Sequence, residues 1–281
     1  MVSIRYFSPA PALRDYVSSY YWFESNLPTF ADLMRAELAQ IRLITVGQTT
    51  NTYCSGQVRA STGAMLQGPT SGPVRFAGQG PLQLFGIGLM PLGWSVLIGA
   101  AADTLANDTV DFGSVMGTAA DAVLDAVASA RSDAERVAAA DAFLLRLLAR
   151  SHAAPIWFTR LTDEWLTSSR NPDLDQLVAA SGMSARSVER MAKRIYGAPP
   201  KLLARKYRAL HAAVQLGNNE VGCWNDLAAD AFYDQAHFIR EFKTFVGLTP
   251  SRFMVEAAPL SRLTIARKTM LPGLPKLALY S

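Results

Sequence analysis

One internal repeat constrains this 281-residue chain more than any other feature. A segment starting near Leu177 matches a segment starting near Leu227 at a constant offset of fifty residues. Leu177 pairs with Leu227, Ala179 with Ala229, Ser184 with Asp234 and Val188 with Phe238. Arg190 pairs with Arg240, Lys193 with Lys243, Gly197 with Gly247 and Pro200 with Pro250. Two copies of one small helical unit are therefore expected, each a short helix, a turn and a second helix.

Each matched position has a physical reason. Leu177 and Ala179 lie on the first helix, where the small alanine is expected to let the second helix cross closely, and Gly182 supplies a turn needing a free φ. Ser184 and Asp234 are suited to cap the second helices, since their oxygens accept orphan backbone N–H groups. Phe238, Phe242 and Phe245 recur at i, i+4 and i+7 as one buried stripe, with Val188, Ala192 and Ile195 as smaller counterparts. The opposite faces carry Arg186, Arg190, Lys193 and Arg194 in one unit, and Gln235, Ala236, Ile239, Arg240 and Lys243 in the other. Arginine can bridge guanine O6 and N7, glutamine can read adenine, and lysines near the helix ends suit phosphate. Gly197 and Gly247 are expected to end the two helices in the left-handed conformation.

Pro200 is placed to open a connecting helix running to about Leu216, with Leu202, Leu203 and Tyr207 inside and Lys201, Arg205, Lys206 and Arg208 outside. Sixteen residues at 1.5 Å each give a rod of roughly 24 Å, stiff enough to fix the two units relative to one another. Net charge is only +4, yet Arg186 to Arg208 holds eight basic residues against the single acid Glu189. A polyanion is the natural partner for such a block, so double-stranded DNA is the expected one.

With these features the chain resembles the AraC/XylS class of transcription regulators. The resemblance is carried by Asp234-Gln235-Ala236-His237-Phe238-Ile239-Arg240-Glu241-Phe242-Lys243 followed by Gly247-Leu248-Thr249-Pro250-Ser251-Arg252-Phe253, and it covers about Leu174 to Phe253. More faintly, Tyr6 to Glu24 and Leu82 to Leu92 resemble a cupin-like sensor domain. The resemblance implies base contacts from Arg186, Ser187, Glu189 and Arg190, and from Gln235, Ala236, His237 and Arg240. It departs at Asp230-Ala231-Phe232, where the class usually has a glycine before the aromatic residue. Either Ala231 takes a left-handed turn, at roughly 1–2 kcal/mol, or the turn is one residue shorter.

The rest of the chain reads as an α+β arrangement. A β-rich, cupin-like N-terminal domain with helices precedes an all-α domain of two helix-turn-helix units joined by a linker helix. Short strands are expected over Val17 to Phe23, Ile41 to Val46, Gln57 to Thr62, Ala64 to Leu66, Pro73 to Phe76 and Leu82 to Leu89, forming a small barrel or sandwich. A short helix follows from about Pro91. Three- and four-residue apolar steps through Val123, Leu124, Val127, Val137, Leu144, Leu145 and Leu148 give helices after Thr118, and another is expected from Ile156 to Ser168. The division expected is 1–117 sensor domain, 118–171 helical connector with a dimerisation role left open, 172–256 DNA-binding domain and 257–281 tail. The tail has no assignment from its sequence.

Other classes find little support. The uncharged run from Phe76 to Ala102 is long enough to span a bilayer, but glycines and prolines interrupt it every few residues, so no membrane span is expected. No secretory signal is visible, and the two cysteines, Cys54 and Cys223, are too far apart for a paired motif. Both are read as core residues of a cytoplasmic protein. Gly86-Ile87-Gly88 lacks the third glycine and the acid of a dinucleotide fingerprint. Phosphate-loop, zinc-protease and hydrolase-elbow motifs are missing from the sequence. No histidine precedes His152, so a metal-using cupin is disfavoured, and no metal, cofactor or catalytic residue is assigned. A cupin-like enzyme with a helical scaffold remains the alternative, and methyl-transfer DNA repair lacks an activated cysteine. His211 is read as structural and His237 as a DNA contact or a surface residue. Tyr20, Tyr21, Trp22 and Phe23 alternate in direction along their strand, so they divide between core and a candidate pocket for a small-molecule effector.

Overall fold

The computed structural model describes residues 2–151, 154–218, 232, 234–256, 259–271 and 273–280. Its N-terminal part is one curled antiparallel sheet of seven strands: β1 (Val2–Phe7), β2 (Val17–Ser25), β3 (Thr29–Met34), β4 (Gln40–Tyr53), β5 (Val58–Gln67), β6 (Val74–Leu89) and β7 (Thr109–Asp111). The order is β1-β2-β6-β4-β5-β7, and β3 pairs with the first half of β6 while β2 pairs with the second half. The long β4–β6 ladder folds over where its register shifts, between Ile44 and Gln48. Gly47 makes that bend, with φ of 85° and a missing Cβ that would meet the Pro81 carbonyl at 2.5 Å.

This bend corrects the strand reading. The strands expected up to Phe76 and from Leu82 to Leu89 are parts of the single strand β6, which begins at Val74, and those expected up to Thr62 and from Ala64 to Leu66 are parts of β5, which begins at Val58. The apolar run after Phe76 divides into that strand and a short helical turn, α1 (Pro91–Gly93), continued by a π-helical turn over Trp94–Ile98. Among the described residues no helix is long and apolar enough to cross a membrane.

Helices cover one face of the sheet. After α2 (Gly113–Met116) come α3 (Thr118–Ser129) and α4 (Asp133–Ala149), which bury Val123, Val127, Phe143 and Leu144 against Tyr20, Trp22, Leu43 and Phe85. The other face holds a separate cluster of Phe23, Phe30, Met34, Phe76 and Leu84. The aromatic run of β2 thus splits as strand alternation requires, Tyr20 and Trp22 to one cluster and Phe23 to the other, with Tyr21 packed beside it.

The C-terminal helices are α5 (Ile156–Ser168), α6 (Leu174–Ser181), α7 (Ala185–Tyr196), α8 (Pro200–Gly217), α9 (Gln235–Val246) and α10 (Pro250–Glu256). The tail adds α11 (Pro259–Ile265), α12 (Arg267–Met270) and α13 (Lys276–Tyr280). One cluster centres on Phe158, Leu177, Val188, Ala192, Ile195 and Tyr207, and a second on Leu210, Val214, Phe238, Phe242 and Phe253. Helix α8 contributes to both and joins the two units as a rod. Cys54 is exposed, contrary to its reading as core, because it sits in the tight turn between β4 and β5 where the chain leaves the sheet. Cys223, His152, the first helix of the second unit near Leu227 and the turn residues Asp230 and Ala231 lie outside the described residues.

Candidate nucleic-acid interface

The two second helices are built alike at both ends. Ser184 Oγ accepts the N–H of Ser187 at the start of α7, and Asp234 Oδ1 accepts the N–H of His237 at the start of α9, at 3.3 and 2.6 Å. Gly197 and Gly247 close them at φ of 77° and 90°, each N–H donating to the carbonyl four residues earlier, Lys193 and Lys243. Gly182 makes the turn before α7 at φ of 65°. Buried stripes lie where the periodicity places them, with Val188, Ala192 and Ile195 in α7 and Phe238, Phe242 and Phe245 in α9.

The faces turned away from these stripes carry the expected residues. Arg186, Glu189, Arg190 and Arg194 are exposed on α7, with Ser187 and Lys193 half-buried. Gln235, Ala236, Arg240 and Lys243 are exposed on α9, and His237 is half-buried beside Phe232. Lys193 Nζ lies 2.7 Å from Glu189 Oε1, an ion pair that holds the Glu189 carboxyl below its usual range. Glu189 therefore neutralises part of the cationic face within its own helix.

Two details differ from expectation. Ala179 is exposed and does not mediate the helix crossing; Leu174, Leu177 and Val178 turn inward instead, at i, i+3 and i+4. Lys206, placed outside by helical periodicity, is 4 % exposed. Its Nζ donates to the Glu37 carbonyl of the sheet domain at 2.8 Å, and burial brings its pKa down to about 7. The periodicity of one helix cannot reveal a surface supplied by another domain.

Side chains also lock the helices to each other. Arg205 of α8 donates through Nε and Nη2 to both carboxylate oxygens of Glu241 in α9, at 2.9 and 2.7 Å. Burial works to raise the Glu241 carboxyl, but the paired Arg205 bonds outweigh it and the pKa stays below its usual range. In the first unit, Tyr196 O–H donates to Asp163 Oδ1 at 2.6 Å, yet burial pushes that carboxyl up to about 7. His211 packs its ring against Tyr280 at 3.9 Å, the structural role read for it.

Residues 32–37 of the sheet domain form a strap that meets the helical part at several points. Ala36 N–H donates to the Phe245 carbonyl at 2.8 Å, and Arg35 Nη1 donates to Thr264 Oγ1 at 2.8 Å. Leu260 N–H donates to Asp32 Oδ2 at 2.7 Å. A further contact involves α7 itself. Ala101 and Asp103 of the sheet domain line one cleft with Arg186, Arg190, Lys193 and Arg194, so the cationic face of α7 fronts that loop. Among the described residues no cluster of three or more histidine, cysteine, aspartate or glutamate side chains could hold a metal ion.

Comparison with known proteins agrees with this geometry. Residues 177–255 match the family described as "Helix-turn-helix domain", and residues 5–111 match a domain of unknown function. No curated protein matches the chain. Among solved structures, apo ToxT from Vibrio cholerae is similar at 10 % identity, covering 92 % of this chain and 97 % of its own, with a TM-score of 0.46. The AraC-like transcriptional activator CuxR is similar at 11 % identity over 76 % of this chain and 87 % of its own, with a TM-score of 0.32. A cupin superfamily protein from Desulfitobacterium hafniense covers 32 % of this chain and 78 % of its own at 12 % identity and a TM-score of 0.22. Residues 177–255 of the chain are thus a helix-turn-helix domain. The N-terminal domain that precedes it is an antiparallel sheet.

Proposed function

We propose that this regulator reads DNA with α7 and α9 entering successive major grooves of one duplex. The single observation that supports the reading is the shared construction of these two helices. Both are capped by a side-chain oxygen, closed by a left-handed glycine, buried along one stripe and cationic on the exposed face. Arg186, Ser187, Glu189 and Arg190, with Gln235, Ala236, His237 and Arg240, take the base edges. Lys193, Arg194 and Lys243 meet phosphate. At about 34 Å per helical turn the two grooves come within reach of units joined by α8 if the duplex bends modestly. Because two reading helices lie on one chain, a palindromic site is not needed, and a homodimer through the sheet domain or α3 and α4 is an additional arrangement.

The parts divide as 1–117 sensing, 118–171 connecting, 172–256 DNA-binding and 257–281 tail. The sensing domain takes a small-molecule effector; ToxT, similar in fold order, is known in an unsaturated fatty acid-bound form. The chain acts in the cytoplasm as a regulator and not as an enzyme. A duplex approaching α7 comes close to the loop bearing Ala101 and Asp103, since that loop lines the same cleft.

Selection of bound genomic fragments with the purified chain, at two salt concentrations, tests this reading. A common sequence element and a steep fall in affinity with salt are expected. Binding that is indifferent to sequence, or absent at low salt, would refute it.

A further inference from the structure

Both reading helices end against the sheet domain. At Gly197, which closes α7, an added Cβ would stand 2.5 Å from Pro69 Cγ and 3.2 Å from the Ala102 carbonyl oxygen. At Gly247, which closes α9, it would stand 2.5 Å from Leu33 Cδ2 and 3.0 Å from Pro73 Cβ. The helix between them is held as well. Lys206 of α8 donates to the Glu37 carbonyl at 2.8 Å, and fully buried Ala36 packs with Ala209 of α8 and Phe245 of α9. The Ala36 N–H donates to the Phe245 carbonyl, one turn before Gly247.

Apart from Ala102, every one of these groups comes from two short segments, residues 33–37 and 69–73. They are tied to each other, Glu37 N–H donating to Thr70 Oγ1 at 2.8 Å and Thr70 N–H to the Glu37 carbonyl at 3.1 Å. Residues 68–73 connect β5 to β6, yet Gly68, Pro69, Thr70 and Gly72 are buried, where connections ordinarily lie on the surface. Asn107 pins this loop: its N–H donates to the Pro69 carbonyl at 3.1 Å, and its Oδ1 accepts the Ser71 N–H at 2.8 Å. Among the described residues it is the one non-glycine with positive φ, at 59°. The turn carrying Ala102 rests on the same loop, since a Cβ on Gly68 would stand 2.0 Å from the Leu105 carbonyl oxygen. Pro69 and Pro73 stiffen it further by fixing φ.

Helix α8 joins the two units through separate apolar clusters, one toward each end, so each unit can tilt about its own cluster. A third body that touches α7, α8 and α9 together removes that freedom. We propose that residues 33–37 and 69–73 form a saddle that sets the placement of α7 relative to α9, making the sheet domain a determinant of the spacing between the two DNA patches the chain accepts. This role rests on the reading of DNA by both helices given above. It leaves the N-terminal halves of α7 and α9 free, because the saddle takes hold at their C-terminal glycines.

Ala36→Leu in the full chain separates the saddle from α8. The added side chain has no room between strap and helices, so the second unit must tilt away; if α8 alone set the placement, the strap would detach and α7 and α9 would keep theirs. Two readouts apply. Spin labels on Arg194→Cys and Lys243→Cys, with Cys54→Ser and Cys223→Ser, measure the distance between the helices without DNA. The parent should give one narrow distribution, and Ala36→Leu should move or broaden it by about 3 Å, one base-pair step. Unlabelled chains are then titrated with a selected operator and with versions carrying one base pair more or fewer between the patches. The parent should prefer the selected spacing by about tenfold, and Ala36→Leu should lose or shift that preference, whereas simple destabilisation would weaken all spacings alike. A folded Ala36→Leu chain that keeps the parent's distance, or its spacing preference, overturns the proposal. Should that variant fail to fold, Asn107→Gly decides by the same readouts, since it keeps the backbone angle and removes only the side-chain bonds to Ser71. A chain that reads no DNA sequence defeats the DNA reading, and the label distances still decide the saddle.

Discussion

Replacing Lys206 by methionine should stabilise the protein, although it removes a hydrogen bond. The lysine is 4 % exposed, and its ammonium donates to the Glu37 carbonyl at 2.8 Å. That carbonyl also accepts the Thr70 N–H at 3.1 Å, so it keeps a partner when the lysine is gone. Burial holds the folded pKa near 7, against about 10.4 in an unfolded chain. The native state then binds fewer protons than the unfolded state between those values, so the lysine's contribution to stability rises with pH across that window. Below pH 7 the full penalty of a buried charge applies, on the order of 4 kcal/mol. Methionine fills similar space without that charge, at the loss of about 1 kcal/mol of hydrogen bonding. Lys206→Met is therefore expected to gain about 2–3 kcal/mol at pH 6 and close to nothing at pH 10. Urea unfolding of both chains at pH 6, 8 and 10 measures the difference. A methionine variant less stable than the parent at pH 6, or a difference that does not change with pH, would refute the reasoning.

Asp163→Asn gives a second pH test of opposite sign. The carboxyl is held near 7 in the fold against about 3.9 unfolded, so the parent loses stability as pH rises through that interval. The asparagine variant, still accepting from Tyr196, should be more stable by about 1–3 kcal/mol at pH 8 and about equal at pH 4, as read from thermal unfolding. Ser184→Ala and Asp234→Ala each remove a helix cap and should lower stability by about 1 kcal/mol. Loss of protection at the first turns of α7 and α9 by hydrogen exchange would show the effect to be local.

The helical repeat was legible because its determinants are local. A capping oxygen, a left-handed glycine and a stripe at i, i+4 and i+7 each act within one helix, and Ser184, Gly197 and Phe238 behave accordingly. The sheet was less legible. β4 and β6 run through a bend whose glycines read as strand ends, and β1, β3 and β7 lie off the central ladders with little alternation to mark them. Contacts between distant segments left the weakest trace. Lys206 was placed outside because the strap that covers it lies 169 residues away in sequence.

Footprinting on a selected operator, with guanine N7 protection read in the major groove, tests most directly whether α7 and α9 engage one duplex. The parent should protect two patches about one helical turn apart, Arg190→Ala should lose one and Arg240→Ala the other. A single patch, or two patches that both survive in both variants, would contradict the account.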